Sequence, residues 1–358
     1  MIRAVISDID GTPAWRACFV QGGALLAALV LSACSGNPAP LLYVSNENSG
    51  DITVVDTGRN AAIATIPVGK RPRGLRLSPD GKLLYVAVSG SPRLPPGADP
   101  AKAPPADRAA DGIAVIDVVK RQVLRILPSG QDPECFDFTP DGKWIFVSNE
   151  ETATTSIVDS SSGEIAAVVP VGEEPEGVTT APDGKTVWVT SEEKNEVAII
   201  EVEGRMVNTR LAVGARPRSV AFTMDGQLAV VTCENEGAVT VVDARERRVL
   251  QTIALPRTAS SPARPMGVAI YEYRAFISNG RAATVSVLDL HAMRVTQTIE
   301  NIGTRPWGIA VTSAGRTLYT ANGPSNDVSV IDVGSGRVIK RIPAGDGPWG
   351  LALASRAK

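Results

Sequence analysis

The chain has 358 residues, 44% hydrophobic and 21% charged, which is enough apolar material for a sizeable core. Its 36 basic and 38 acidic residues leave a net charge of −2, so no basic excess points to nucleic acid. His291 is the single histidine, which excludes a serine triad, and neither a Cys-x-x-Cys-His haem attachment nor a zinc-like Cys/His spacing occurs.

Near the start, Asp8-Ile9-Asp10-Gly11-Thr12 resembles the first motif of haloacid-dehalogenase-type phosphatases. That chemistry needs a doubly wound domain behind the motif, and an apolar run follows instead. The match is read as coincidence, or as a start assigned too far upstream. Residues 17–33, ACFVQGGALLAALVLSA, carry no charge and follow Arg16, as the hydrophobic region of a signal peptide does. They end Leu31-Ser32-Ala33-Cys34, which resembles the bacterial lipobox. Residues 1–33 are therefore expected to be a signal peptide with a doubtful N-terminal extension, Cys34 the lipidated residue and 34–40 its tether. The implied address is the periplasmic face of a bacterial membrane, the outer one favoured by Ser35, or the cell surface. Membrane contact is through the anchor, whose several acyl chains hold firmly where one would not.

From residue 41 onward the chain repeats itself. The pattern is Pro-x-Gly and a short apolar run, Pro-Asp-Gly-Lys, a run ending aromatic-Val-Ser-Asn, then Val-x-Val-Ile-Asp, then a run ending Ile-Pro. Its first proline falls at Pro72, Pro133, Pro175, Pro217, Pro265, Pro306 and Pro348. The usual spacing of about 42 residues, with four strand-like runs in each unit, is that of a propeller blade. The runs VTVVDA and VSVLDL alternate apolar with small or polar residues, the period of a half-buried strand. Asp-Gly pairs such as Asp80-Gly81 and Asp141-Gly142 suit tight hairpins.

The two ends are complementary. Residues 41–67 supply strands B, C and D without a strand A, and PWGLAL (348–353) supplies a strand A with nothing after it. The expected fold is all-β: a seven-bladed β-propeller of four-stranded blades over 41–358, closed by pairing the N- and C-terminal strands in one blade. A proline-rich insertion, 90–111, enlarges one B–C loop. The bulky strand-B residues Tyr43, Tyr85, Phe146, Trp188, Val230, Phe276 and Tyr319 are read as packing between blades. Cys135 and Cys233 lie a blade apart and are read as buried free thiols.

Tyr43-Val44-Ser45-Asn46 resembles the signature of the YVTN β-propeller family. More narrowly, RPRGLRLSPDGK (71–82), DPECFDFTPDGK (132–143), EPEGVTTAPDGK (174–185), ARPRSVAFTMDG (215–226) and GPWGLA (347–352) resemble the β-propeller proteins associated with PQQ-dependent catabolism. That resemblance implies an exported accessory protein beside quinoprotein alcohol oxidation. It has no catalytic residues of its own to carry over.

Strand alternation puts the D–A and B–C loops on one face of the disc and the Pro-Asp-Gly hairpins on the other. The first face gathers Arg71, Arg73, Arg216, Arg218, Arg264 and Arg305, with Glu134, Glu176 and Glu192, and with Trp307 and Trp349. Arginine forks suit carboxylates and tryptophan suits flat or cationic groups, so this rim is the candidate binding face. The plain alternative is that the charges pair with one another and solvate the channel mouth. No metal site and no cofactor is expected, with PQQ admitted only as a bound ligand. The expected partner is a quinoprotein dehydrogenase or its cytochrome, and the chain itself is expected to be a monomer. Two other functions stay open: a propeller lactonase or hydrolase working through Glu134, Glu176 or Glu192, and a cell-surface interaction protein. His291 is expected in a C–D loop on the opposite face.

Overall fold

The computed structural model describes residues 39–93 and 102–354. The signal peptide, Cys34, the Asp8–Thr12 motif and most of the tether lie outside the described residues, as does the middle of the 90–111 insertion.

Seven antiparallel sheets of four strands each form the seven blades. Blade one is β4 (Leu75–Leu77), β5 (Leu83–Val88), β6 (Gly112–Asp117) and β7 (Gln122–Leu127). Blades two to six begin with the inner strands β8 (Pro133–Phe138), β12 (Pro175–Thr180), β16 (Pro217–Phe222), β20 (Pro265–Tyr271) and β24 (Pro306–Val311). Blade seven joins the ends of the propeller: β28 (Pro348–Leu353) lies beside β1 (Leu41–Asn46), followed by β2 (Asp51–Asp56) and β3 (Ala61–Pro67). The pairing of Leu42 with Leu353, Tyr43 with Ala352 and Val44 with Leu351 closes the ring.

The bulky strand-B residues pack as expected. Each sits in an apolar cluster shared with the next blade: Tyr85 with Phe136 and Phe138, Phe146 with Val178 and Val189, Phe276 with Ile309 and Leu318. The alternation in VTVVDA and VSVLDL means something other than half-burial. The strands that contain these runs, Ala238–Asp243 and Thr284–Asp289, are buried over all but their last residue. Blades stack face to face, so both faces of the middle strands are covered. The small polar residues answer the buried asparagine of the neighbouring strand: Asn279 Nδ2 donates to Ser286 Oγ at 2.8 Å and to Thr284 Oγ1 at 3.0 Å. Asn46, Asn149 and Asn322 make the equivalent bonds, so the side-chain amide nitrogens of these asparagines are satisfied inside their blades.

The inner strands approach closely. A Cβ on Gly177 would lie 2.5 Å from the carbonyl oxygen of Arg218 in the next blade, which is why that place takes glycine. The same carbonyls are held by the preceding blade's hydroxyls. Ser45 Oγ donates to the Arg73 carbonyl at 2.6 Å, Ser148 Oγ to that of Glu176 at 2.7 Å and Ser278 Oγ to that of Trp307 at 2.6 Å. The serine or threonine of the strand-B signature therefore fixes the residue between proline and glycine one blade further on.

Candidate functional site

The D–A and B–C loops share one face, tied by backbone bonds such as Glu150 N–H to the Asp132 carbonyl at 3.0 Å and Glu234 N–H to that of Arg216 at 2.8 Å. Six of the seven inner strands carry an irregularity just after their proline. Pro133 faces Asn149 while Phe136 faces Val147, so one extra residue bulges at Glu134-Cys135, and blades three to six repeat this. A bulge re-aims side chains, and here it serves the residue between proline and glycine. Those residues are Arg73, Glu134, Glu176, Arg218, Met266, Trp307 and Trp349 in ring order. All but Met266 line a cavity of about 360 Å³ at the mouth of the channel. Below it the channel narrows to about 120 Å³ among Gly74, Cys135, Gly177, Ser219, Gly267, Gly308 and Gly350.

On one side of the mouth the charges neutralise one another. Arg73 is buried among carboxylates: its Nε lies 3.2 Å from Glu47 Oε1, and its Nη1 lies 3.7 Å from Asp132 Oδ1 and 3.6 Å from Glu150 Oε2, with Glu134 also in contact. Arg71 reaches Glu47 at 3.2 Å and Asp132 at 3.7 Å. A second group surrounds Arg218, whose Nη1 is 3.5 Å from Glu176 and whose Nε is 3.5 Å from Glu234, with Glu192 in contact. Arg216 lies 2.6 Å from Glu192 and 3.4 Å from Glu234. Burial opposes the charge on Arg73, but Asp132, Glu47, Glu150 and Glu176 together hold its pKa above the ordinary value. Burial raises the pKa of both Glu150 and Glu176, against the pull of the arginines.

Asp132, Glu134 and Glu150 bring carboxylate oxygens within 4.8 Å of one another, a spacing that a cation would fit. The Arg73 guanidinium already stands among these three, so the positive charge is supplied by the protein. Chemically, this side is a largely buried set of ion pairs, in which a charge stripped of all its partners would be left uncompensated.

The other side differs. Trp307 and Trp349 face each other with ring centroids 5.5 Å apart and an interplanar angle of 58°. The Arg305 guanidinium lies 5.2 Å from the centre of the Trp307 ring and that of Arg218 lies 5.6 Å away. Among the described residues no carboxylate lies within ion-pair distance of Arg305 or Arg264. Arg264 instead donates to Asn235 Oδ1 and stands apart from the mouth cavity, unlike the remaining rim arginines. Glu192 is buried and does not line the cavity.

The described ends of the insertion reach this same face. Pro92 and Arg93 line the mouth, and the Ser91 carbonyl accepts from Arg71 Nη1 at 2.8 Å. The sequence put the insertion here but singled out none of its residues, because a proline-rich run has no period that fixes side chains. His291 lies far from this chemistry in a C–D turn, stacked on Tyr273 with centroids 3.9 Å apart. Both cysteines are free, and Cys233 is buried. Cys135 departs from expectation. It is only partly buried, because the glycine place it occupies faces the channel. Burial still pushes its thiol up to about 12, too high for a nucleophile at neutral pH.

The family-level resemblance read from the repeats is borne out by comparison with known proteins. Residues 181–357 match the model of the YNCE-like β-propeller family. Among solved structures, the chain resembles the hydrazine synthase of Kuenenia stuttgartiensis at 20% identity and a TM-score of 0.69, over 87% of this chain and 99% of that one. The periplasmic gluconolactonase of Pseudomonas aeruginosa is similar at 18% identity and a TM-score of 0.70, over 89% and 99%. At these identities the likeness is one of fold alone. A curated relative, the antigen Lp49 of Leptospira interrogans, is 31% identical over 115 residues, which are 32% of this chain and span only 24% of that protein.

Proposed function

We propose that this propeller is an exported binding protein, lipid-anchored at Cys34, that serves quinoprotein alcohol oxidation without catalysis of its own. It holds a dehydrogenase, its cytochrome, or PQQ itself at the mouth formed by the D–A and B–C loops. The observation that carries the reading is the state of the mouth carboxylates. Glu134, Glu176 and Glu192, the residues a hydrolase would need as general bases, each face an arginine within a buried network. A carboxylate held against an arginine is not free to reach a substrate's proton, whereas rigidly held charge and half-buried tryptophan at a cavity wall are what recognition uses. The lactonase alternative would need one of these carboxylates released, and the one histidine, His291, lies on the other face.

The test is affinity capture of the tagged, lipidated protein from its own host, run beside an assay for glucono-1,5-lactone hydrolysis. The reading expects a quinoprotein dehydrogenase or its cytochrome among the captured proteins and no turnover. Turnover that persists with chelator and disappears in Glu176→Gln would replace the binding reading with the hydrolase.

A further inference from the structure

The mouth is electrically divided, and the division separates scaffold from site. From the B–C loop of blade seven round to blade four, arginines and carboxylates are matched within two ion-paired groups, one round Arg73 and one round Arg218. Beyond it, on the side of blades five to seven, the pairing stops. Arg305 is exposed, makes no ion pair among the described residues, and lies over the ring of Trp307. A cavity of about 250 Å³ opens here, lined by Arg93, Arg305, Trp307 and Trp349, and it shares these four residues and Glu47 with the mouth.

Two acidic residues also border that cavity. Glu47 is already committed to Arg71 and Arg73, and Asp346 is exposed and accepts from Asn48 Nδ2 at 3.1 Å. Neither supplies Arg305 with a counter-charge. Desolvation lowers the Arg305 pKa, Glu234 opposes that, and Arg218, Arg281 and Arg93 lower it further. A cation crowded by cations is relieved by an anion. The adjacent walls include the indoles of Trp307 and Trp349, and indoles favour a flat ring. Convergent charged and aromatic groups around a preformed cavity are the usual make-up of a small-molecule site.

We infer that the open side of the mouth is a subsite for a planar aromatic carboxylate, its anion on Arg305 and Arg93 and its ring against Trp307 and Trp349. The inference rests on the reading of the mouth as the binding face. It adds which part of the mouth binds and what chemical class it takes. Arg73 and Arg218, already ion-paired, do not line this cavity and are not its anion ligands.

Benzene-1,3,5-tricarboxylate is the probe, titrated into the full chain by calorimetry and by tryptophan fluorescence, with cyclohexane-1,3,5-tricarboxylate for comparison. Saturable binding is expected, weaker for the cyclohexane acid. Arg305→Gln should weaken it about tenfold or more, the loss of one charge-assisted hydrogen bond, with no change in thermal midpoint because Arg305 is in no ion pair. Trp307→Leu and Trp349→Leu should each weaken it and abolish the preference for the aromatic ring. No saturable binding by the wild type, equal binding by Arg305→Gln, or no preference between the two acids would each overturn the subsite. If host capture still succeeds in that case, only the subsite falls. If capture fails as well, the binding reading falls with it.

Discussion

At the scale of single residues, burial and pairing decide what each charge can do. Glu176 shows the balance. Its carboxylate lies 3.5 Å from Arg218 Nη1, yet burial outweighs that attraction and raises its pKa. A carboxyl whose folded pKa is raised above the ordinary ~4.3 contributes stability that is fully present at lower pH and is lost as pH rises through the folded value. Replacing it with glutamine removes that loss while keeping the shape, and Arg218 retains Glu192 and Glu234. Thermal unfolding of Glu176→Gln between pH 4 and 8 should therefore show a midpoint at or above wild type near neutrality. The difference should fade below about pH 4, where both proteins carry a neutral group. A midpoint below wild type that worsens as pH rises would mean that the ion pair outweighs burial.

At the scale of elements, the unit of construction is the joint between one blade's strand B and the next blade's inner strand. A hydroxyl holds the neighbour's carbonyl, a glycine lets that carbonyl approach, and the bulge turns the intervening side chain to the mouth. Gly177→Ala tests this joint. The added methyl group would meet the Arg218 carbonyl oxygen at 2.5 Å and Ser219 Cα at 2.9 Å, so backbone must move. Urea unfolding should show a loss of about 1–3 kcal/mol, the usual cost of overpacking, and a neutral result would show that the inner strands separate freely.

Much of this was legible in the sequence, because a repeated pattern samples each position seven times. The strand count, the closing blade, the packing role of Tyr43 and its equivalents and the face shared by the D–A and B–C loops all follow from spacing and alternation. The partners of individual charges did not. Arg216 and Arg264 look alike in the repeat, each just before its blade's proline, yet one is ion-paired to Glu192 and Glu234 and the other donates to Asn235 apart from the cavity. Which arginines are spent depends on the bulge and on the neighbouring blade, and neither has a one-dimensional signal. The same holds for the hydroxyls, since Ser148 reads as a strand residue until its bond to the Glu176 carbonyl is seen.

At the scale of the whole molecule, the ring makes a rigid rim, and rigidity lets a few loop residues act together without ordering costs at binding. The two faces differ in kind. The mouth face has the ion-pair network, the paired tryptophans and the ends of the insertion. The opposite face carries hairpins such as Asp183-Gly184-Lys185 and turns such as Asp243–Arg247, whose acidic residues mostly accept from their own backbone amides. The central claim is that binding belongs to the first face. Charge reversal on each face tests it most directly, by host capture with Arg93→Glu/Arg305→Glu on the mouth and with Lys185→Glu/Arg245→Glu on the opposite side, both checked for unchanged thermal unfolding. The account predicts that the mouth variant loses the captured partner while the opposite variant keeps it at the wild-type level. Retention by the mouth variant, with loss in the other, would contradict it.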